Sequence, residues 1–140
     1  MSVYLDASIL VALFTEDILA GKADTFLRTH LAILVVSDFA AAEFASALGL
    51  RVRMKDIEPE VARRTFITFD VWIARTTQRA LTTSVDIVSA AAFLRRLDLP
   101  LRTPDVLNIA IAQRVGAELL TFDRKMAASA RALGTPVAMG

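Results

Sequence analysis

Four carboxylates stand where the residues around them predict burial or the carboxyl end of a strand. Asp6 closes the apolar run "SVYLD", Glu43 is the only acid within "FAAAEFASALGL", Asp105 opens "VLNIAIA", and Asp123 follows "LLTF". Acidic side chains are rarely buried without a partner. Carboxylates gathered in one place also repel one another and lose solvation, and a divalent cation offsets both effects. Mg²⁺ and Mn²⁺ are hard ions that prefer carboxylate and water oxygens, and Mg²⁺ commonly keeps several of its waters. Zinc suits this chain poorly, because there is no cysteine and one histidine, His30. Simpler roles are also open to two of the acids: Asp123 as a helix N-cap, and Asp105 as a favourable charge in a first helical turn.

The elements that must position these acids follow from periodicity. Short β-branched runs at 2–6, 33–36 and 118–122 read as central strands, with weaker edge strands at 81–83 and 136–138. Longer periodic stretches predict helices at 8–16, 21–30, 38–54, 59–78, 86–97, 104–115 and 124–133. Ser37 is the expected N-cap of the third helix, Thr103 that of the sixth with Pro104 at its first position, and Gly116 and Gly134 are expected stops. Such alternation predicts α/β units around a parallel sheet. All strands of a parallel sheet leave by one edge, so Asp6 and Asp123 emerge together if their strands are neighbours. Open α/β folds place their ligand sites at that edge. Ser37 follows the second strand there, and Glu43 lies within about two helical turns of it.

Composition sets the remaining limits. A chain of 140 residues suits a single domain spanning 1–140. With 55% hydrophobic and 22% charged residues it reads as a packed globule rather than a disordered chain. The lack of cysteine excludes disulfides and thiolate metal sites and fits a reducing compartment. No cationic segment precedes the first apolar run, and no charge-free apolar stretch reaches the roughly 18 residues of a membrane span, so a cytoplasmic protein is expected. Sixteen Lys and Arg against 15 Asp and Glu leave a net charge of +1, so any nucleic-acid role must rest on a local site. Arg51, Arg53, Lys55 and Arg102 are the candidate phosphate-holding cations. In "FITFDVWIA" the apolar residues occupy more than one helix face, and Trp72 is the candidate for an interface.

With these residues in place, the sequence resembles the PIN domain family, and within it the VapC-type toxins of bacterial and archaeal toxin–antitoxin pairs. The likeness is carried by "VYLDASILVALF", "VSDFAAAEFASAL" and "LRTPDVLNIAIAQRVGAELLTFDRKMAASARALG", in that order and spacing. It implies a three-layer α/β/α fold with a central parallel sheet of about five strands. It also implies an endoribonuclease using Mg²⁺ or Mn²⁺ held by the quartet Asp6, Glu43, Asp105 and Asp123, with Ser8 and Thr121 as supporting hydroxyls. RNA would be the substrate, and the partners a second copy of the chain and a VapB-like antitoxin that blocks the site. One departure is visible, for Asn108 stands where relatives commonly carry His, three residues after Asp105 and on the same helix face.

The competing readings are a PIN-like module kept for protein or RNA binding, a phosphatase of the haloacid dehalogenase type, and a phosphorylated receiver domain. The phosphatase would need a second aspartate two residues after Asp6, where Ser8 stands. A receiver would need paired acids near the first strand and a lysine late in the sheet.

Overall fold

The computed structural model describes residues 1–138. In chain order the elements are β1 (Ser2–Leu5), α1 (Ala7–Phe14), α2 (Ala20–Thr29), β2 (Ile33–Ser37), α3 (Asp38–Arg53), α4 (Pro59–Thr76), β3 (Thr77–Ala80), α5 (Ser84–Leu94), α6 (Thr103–Arg114), β4 (Glu118–Leu120) and α7 (Arg124–Ala132). The sheet order is β3-β2-β1-β4 and every pairing is parallel, with Tyr4 opposite both Val35 and Leu119.

Side-chain alternation along the strands divides the interior in two. Val3, Leu5, Leu34, Val36 and Leu120 face α1 to α4, whereas Tyr4, Val35 and Leu119 face α5 to α7. The result is the expected three layers, α/β/α. The first face is aromatic: Phe44 stacks on Phe69 with centroids 4.3 Å apart, and Phe14 meets Trp72 edge-on at 5.3 Å. Trp72 is therefore half-buried against Phe14, and the exposed large apolar residues of α4 are Val61, Ile67 and Val71. The second face surrounds α6, whose residues Val106 to Ala112 are all buried.

The sheet has four strands among the described residues, not about five. The expected edge strand at 81–83 lies earlier, at Thr77–Ala80, because α4 ends at Thr76 and not at 78. Thr77 closes that helix by donating its amide and, at 2.9 Å, its hydroxyl to Ile73 O. The expected strand at 136–138 is a single bridge, Leu119 with Val137. Pro136 has no N–H to extend a ladder. It accepts from Leu119 N at 2.9 Å, and Ala138 N then returns to Leu119 O at 2.8 Å. Among the described residues no helix is long and apolar enough to cross a membrane.

Candidate functional site

β1 and β4 are neighbours, so Asp6 and Thr121 meet where both strands end. Asp6 caps α1, its Oδ1 accepting from Ile9 N at 3.2 Å and from Ser8 Oγ at 2.6 Å. Its Oδ2 accepts from Thr121 Oγ1 at 2.5 Å. Both hydroxyls are themselves held: Ser8 Oγ accepts from Phe122 N at 3.1 Å, and Thr121 Oγ1 accepts from Asp123 N at 3.0 Å. Asp6 is 5% exposed, and no ion pair among the described residues includes it. Burial pushes its carboxyl above the usual range, and the hydrogen bonds from Ser8, Thr121 and Ile9 only partly oppose this.

Glu43 reaches the same region from α3. That helix begins where expected, with Ser37 Oγ accepting from Ala40 N at 2.9 Å. Glu43 Oε1 accepts from Asn108 Nδ2 at 2.7 Å, which ties α3 to α6. Burial raises the Glu43 carboxyl, the Asn108 hydrogen bond lowers it, and the charges of Asp6 and Asp105 raise it further. Three of the four acids thus share one electrostatic field.

Asp105 is half-buried in the first turn of α6, with Oδ2 accepting from Arg102 N at 3.2 Å. That helix starts one residue earlier than expected, with Arg102 and not Thr103 at the cap position. Asp123 is exposed and serves as the N-cap of α7, accepting from Met126 N at 3.1 Å. It is linked to Asp6 only through Thr121. Among the described residues no group of three or more His, Asp or Glu side chains is drawn into one metal-holding cluster. Each of the four acids turns at least one oxygen to a protein donor.

The donor set nonetheless suits a hard divalent cation. It consists of oxygens alone, it holds a buried carboxylate without a counter-charge, and Mg²⁺ needs only one or two direct carboxylates when waters complete its shell. Beside it runs a groove of about 670 Å³ lined in part by Ser8, Glu43, Phe39, Phe122 and Arg53. Of the expected cations, Arg53 lines this groove, Arg102 and Lys55 are exposed, and Arg51 lies 3.6 Å from Asp17 in an ion pair. Lys22 was not foreseen. Its Nζ sits 6.0 Å from the Phe122 ring centroid, and it lines a second groove with Asp123 and Arg124. Tyr4 and Ser37 were also missed as members of the site. The Tyr4 hydroxyl lies 2.6 Å from Ser37 Oγ and 2.5 Å from Asn108 Oδ1, contacts that need residues 33 and 104 positions away.

The model of the PIN domain matches residues 3–132. No curated relative matches the chain significantly. Among solved structures, VapC20 of Mycobacterium tuberculosis, a sarcin-ricin loop cleaving toxin, superposes with a TM-score of 0.76 at 18% identity, over 99% of this chain and 100% of that one. VapBC2 of Rickettsia felis, bound to a fragment of its promoter DNA, gives 0.71 at 13% identity, over 99% and 98%. DNA-bound VapBC of Salmonella typhimurium gives 0.68 at 12% identity, over 99% and 97%. At these identities the likeness is one of fold.

Proposed function

The chain belongs to the PIN domain family, and from that premise we propose that it is a metal-dependent endoribonuclease acting as the toxin of a toxin–antitoxin pair. The observation that carries the reading is Asp6, a buried carboxylate with no paired cation among the described residues, in one field with Glu43 and Asp105. The fold shared with toxins such as VapC20 supports the same reading.

Asp6, Glu43 and Asp105 would hold Mg²⁺ or Mn²⁺, with Asp123 completing the set from the start of α7. Such an ion supplies a bound water of lowered pKa and neutralises charge at the phosphate. Ser8 and Thr121 keep both oxygens of Asp6 in one orientation. Asn108 does the same for one oxygen of Glu43. Arg53 and Arg102 would meet the RNA backbone, and Lys22 and Arg124 would meet it on the α7 side. No protein nucleophile is needed for this hydrolysis. The working form is taken to be a cytoplasmic homodimer of one catalytic domain per chain. A VapB-like antitoxin would hold it in check, as the VapBC complexes similar in fold suggest.

Incubation of the purified protein with mixed tRNA and ribosomal RNA fragments tests the reading. Cutting is expected with MgCl₂ or MnCl₂, none with chelator, and none from Asp6→Asn. Equal behaviour of wild type and Asp6→Asn would favour a PIN-like binding module without catalysis.

A further inference from the structure

Tyr4 is the only tyrosine in the chain. It is fully buried on β1, yet its hydroxyl is placed among polar groups of β2 and α6. The donor inventory fixes the direction of every bond there. The carboxamide oxygen of Asn108 can only accept, so the single phenolic proton of Tyr4 goes to it, at 2.5 Å. Ser37 must then donate to the Tyr4 oxygen at 2.6 Å, while its own oxygen accepts from Ala40 N. The two amide protons of Asn108 go to Glu43 Oε1 at 2.7 Å and to Pro104 O at 3.0 Å. The reversed amide would set its oxygen against both the Glu43 carboxylate and Pro104 O, neither of which can donate. A directed chain therefore runs from Ser37 through Tyr4 and Asn108 to Glu43.

Among the described residues the second oxygen of Glu43, Oε2, has no hydrogen-bond partner, and Glu43 lines the groove. An unrestrained Glu side chain loses up to about 2 kcal/mol of rotamer freedom when it is held in one geometry. We propose that Tyr4 and Ser37 are positioning residues: acting through Asn108, they hold Glu43 from the sheet side and leave Oε2 free on the groove side for a divalent cation. The cation in that statement rests on the function proposed above, whereas the holding of Glu43 does not. A buried network of this kind is sensitive to each member, because one missing group leaves the next without a partner. Asn108 is the adaptor, for its amide accepts from Tyr4 with one end and donates to Glu43 with the other.

Carboxyl ¹³C NMR of glutamate-labelled protein, recorded first without metal, tests this directly. Glu43 is identified among the five glutamates by the signal that Glu43→Gln removes. In Tyr4→Phe the Glu43 signal is expected to shift or broaden while the other four stay in place. Ile73→Val, a buried substitution in the opposite core, is expected to leave all five unchanged. MgCl₂ titrated into each protein is then expected to bind Tyr4→Phe about tenfold more weakly than wild type. An unmoved Glu43 signal in Tyr4→Phe would overturn the positioning role, even if that variant were less stable. Equal shifts in Tyr4→Phe and Ile73→Val would overturn it too, since they would mean general loosening. If the wild type fails to bind Mg²⁺, the metal reading fails, and the metal-free spectra still decide the role of Tyr4.

Discussion

Asp6 and Asp86 are the two buried aspartates among the described residues, and they keep opposite company. Asp86 lies in the first turn of α5 and receives a guanidinium, Arg114 Nε donating to its Oδ1 at 2.7 Å. Its Oδ2 accepts from Thr83 N at 2.8 Å, and Arg114 Nη2 goes on to Leu81 O at 2.7 Å. Burial raises the Asp86 carboxyl, but the Arg114 hydrogen bond, the Thr83 amide and the Arg114 charge outweigh it, and the group sits below its usual range. Asp6 has hydroxyls and one amide in place of a cation, and it sits above. The fold thus neutralises the acid that joins α5 to α6 and leaves unneutralised the acid at the strand ends. On the function proposed above, Asp86 is the structural carboxylate and Asp6 the one kept for an external charge.

Removing the internal counter-ion should have the largest effect on stability. Arg114→Met leaves Asp86 buried with only Thr83 to satisfy it and frees Leu81 O. The expected cost is about 2–3 kcal/mol, less than the ~3–5 kcal/mol of a fully buried broken pair because the Arg114 side chain is 33% exposed. For a chain of this size that lowers Tm by about 8 °C. The rise of Tm on adding MnCl₂ should be the same as in wild type, because α5 and its cap lie outside the acidic site. A Tm within a degree of wild type would deny Asp86 its structural part.

Asp6→Asn should act in the opposite direction. Asparagine keeps an acceptor for Ser8 or Ile9 while removing the uncompensated charge, and it relieves Glu43 of one repulsive neighbour. Without divalent cations the variant is expected to melt about 3 °C above wild type, equivalent to roughly 1 kcal/mol. Adding MnCl₂ should stabilise wild type and leave the variant unchanged. Destabilisation by Asp6→Asn would show that the carboxylate serves the fold, as Asp86 does.

The contrast between the two acids was only half legible in the sequence. Asp6 stood out because it is the one charge in a continuous apolar run, and a strand end is a poor place for an unpaired charge. The supporting hydroxyls Ser8 and Thr121 were recoverable from the family pattern, and the structure places both on Asp6. Asp86 passed unnoticed, although Thr83 three residues before it forms the T-x-x-D pattern of a capping box. The helix was expected to begin at Asp86 and begins at Ser84, so the cap was hidden inside a boundary error. Arg114 gave no signal, since its link to Asp86 spans 28 positions and depends on how α5 packs on α6. Tyr4 was concealed in another way. Its ring is an ordinary core residue on a central strand, and only the tertiary fold shows that its hydroxyl ends among Ser37 and Asn108. The fifth strand was an overestimate, because "TPVAMG" carries β-branched residues but also a proline that stops the ladder.

The smallest effect, and the sharpest separation of the two acids, lies in the pH dependence of stability without divalent cations. For Asp86 the folded value is below the unfolded one of about 3.8. Its stabilisation is therefore complete above the unfolded value and is lost as pH falls through the folded value. For Asp6 the folded value is above 3.8, so the unfolded chain releases its proton first. Ionisation then costs stability in proportion as pH rises through the folded value, by at most about 1.4 kcal/mol per pH unit. Glu43 is shifted in the same direction and adds to this slope. Urea unfolding from about pH 4 to pH 8 should show the advantage of Asp6→Asn over wild type growing with pH. The deficit of Asp86→Asn should stay level over that range and close only below about pH 4. An Asp6→Asn advantage that is flat with pH would mean that Asp6 is neutralised within the protein after all, and the distinction from Asp86 would be lost.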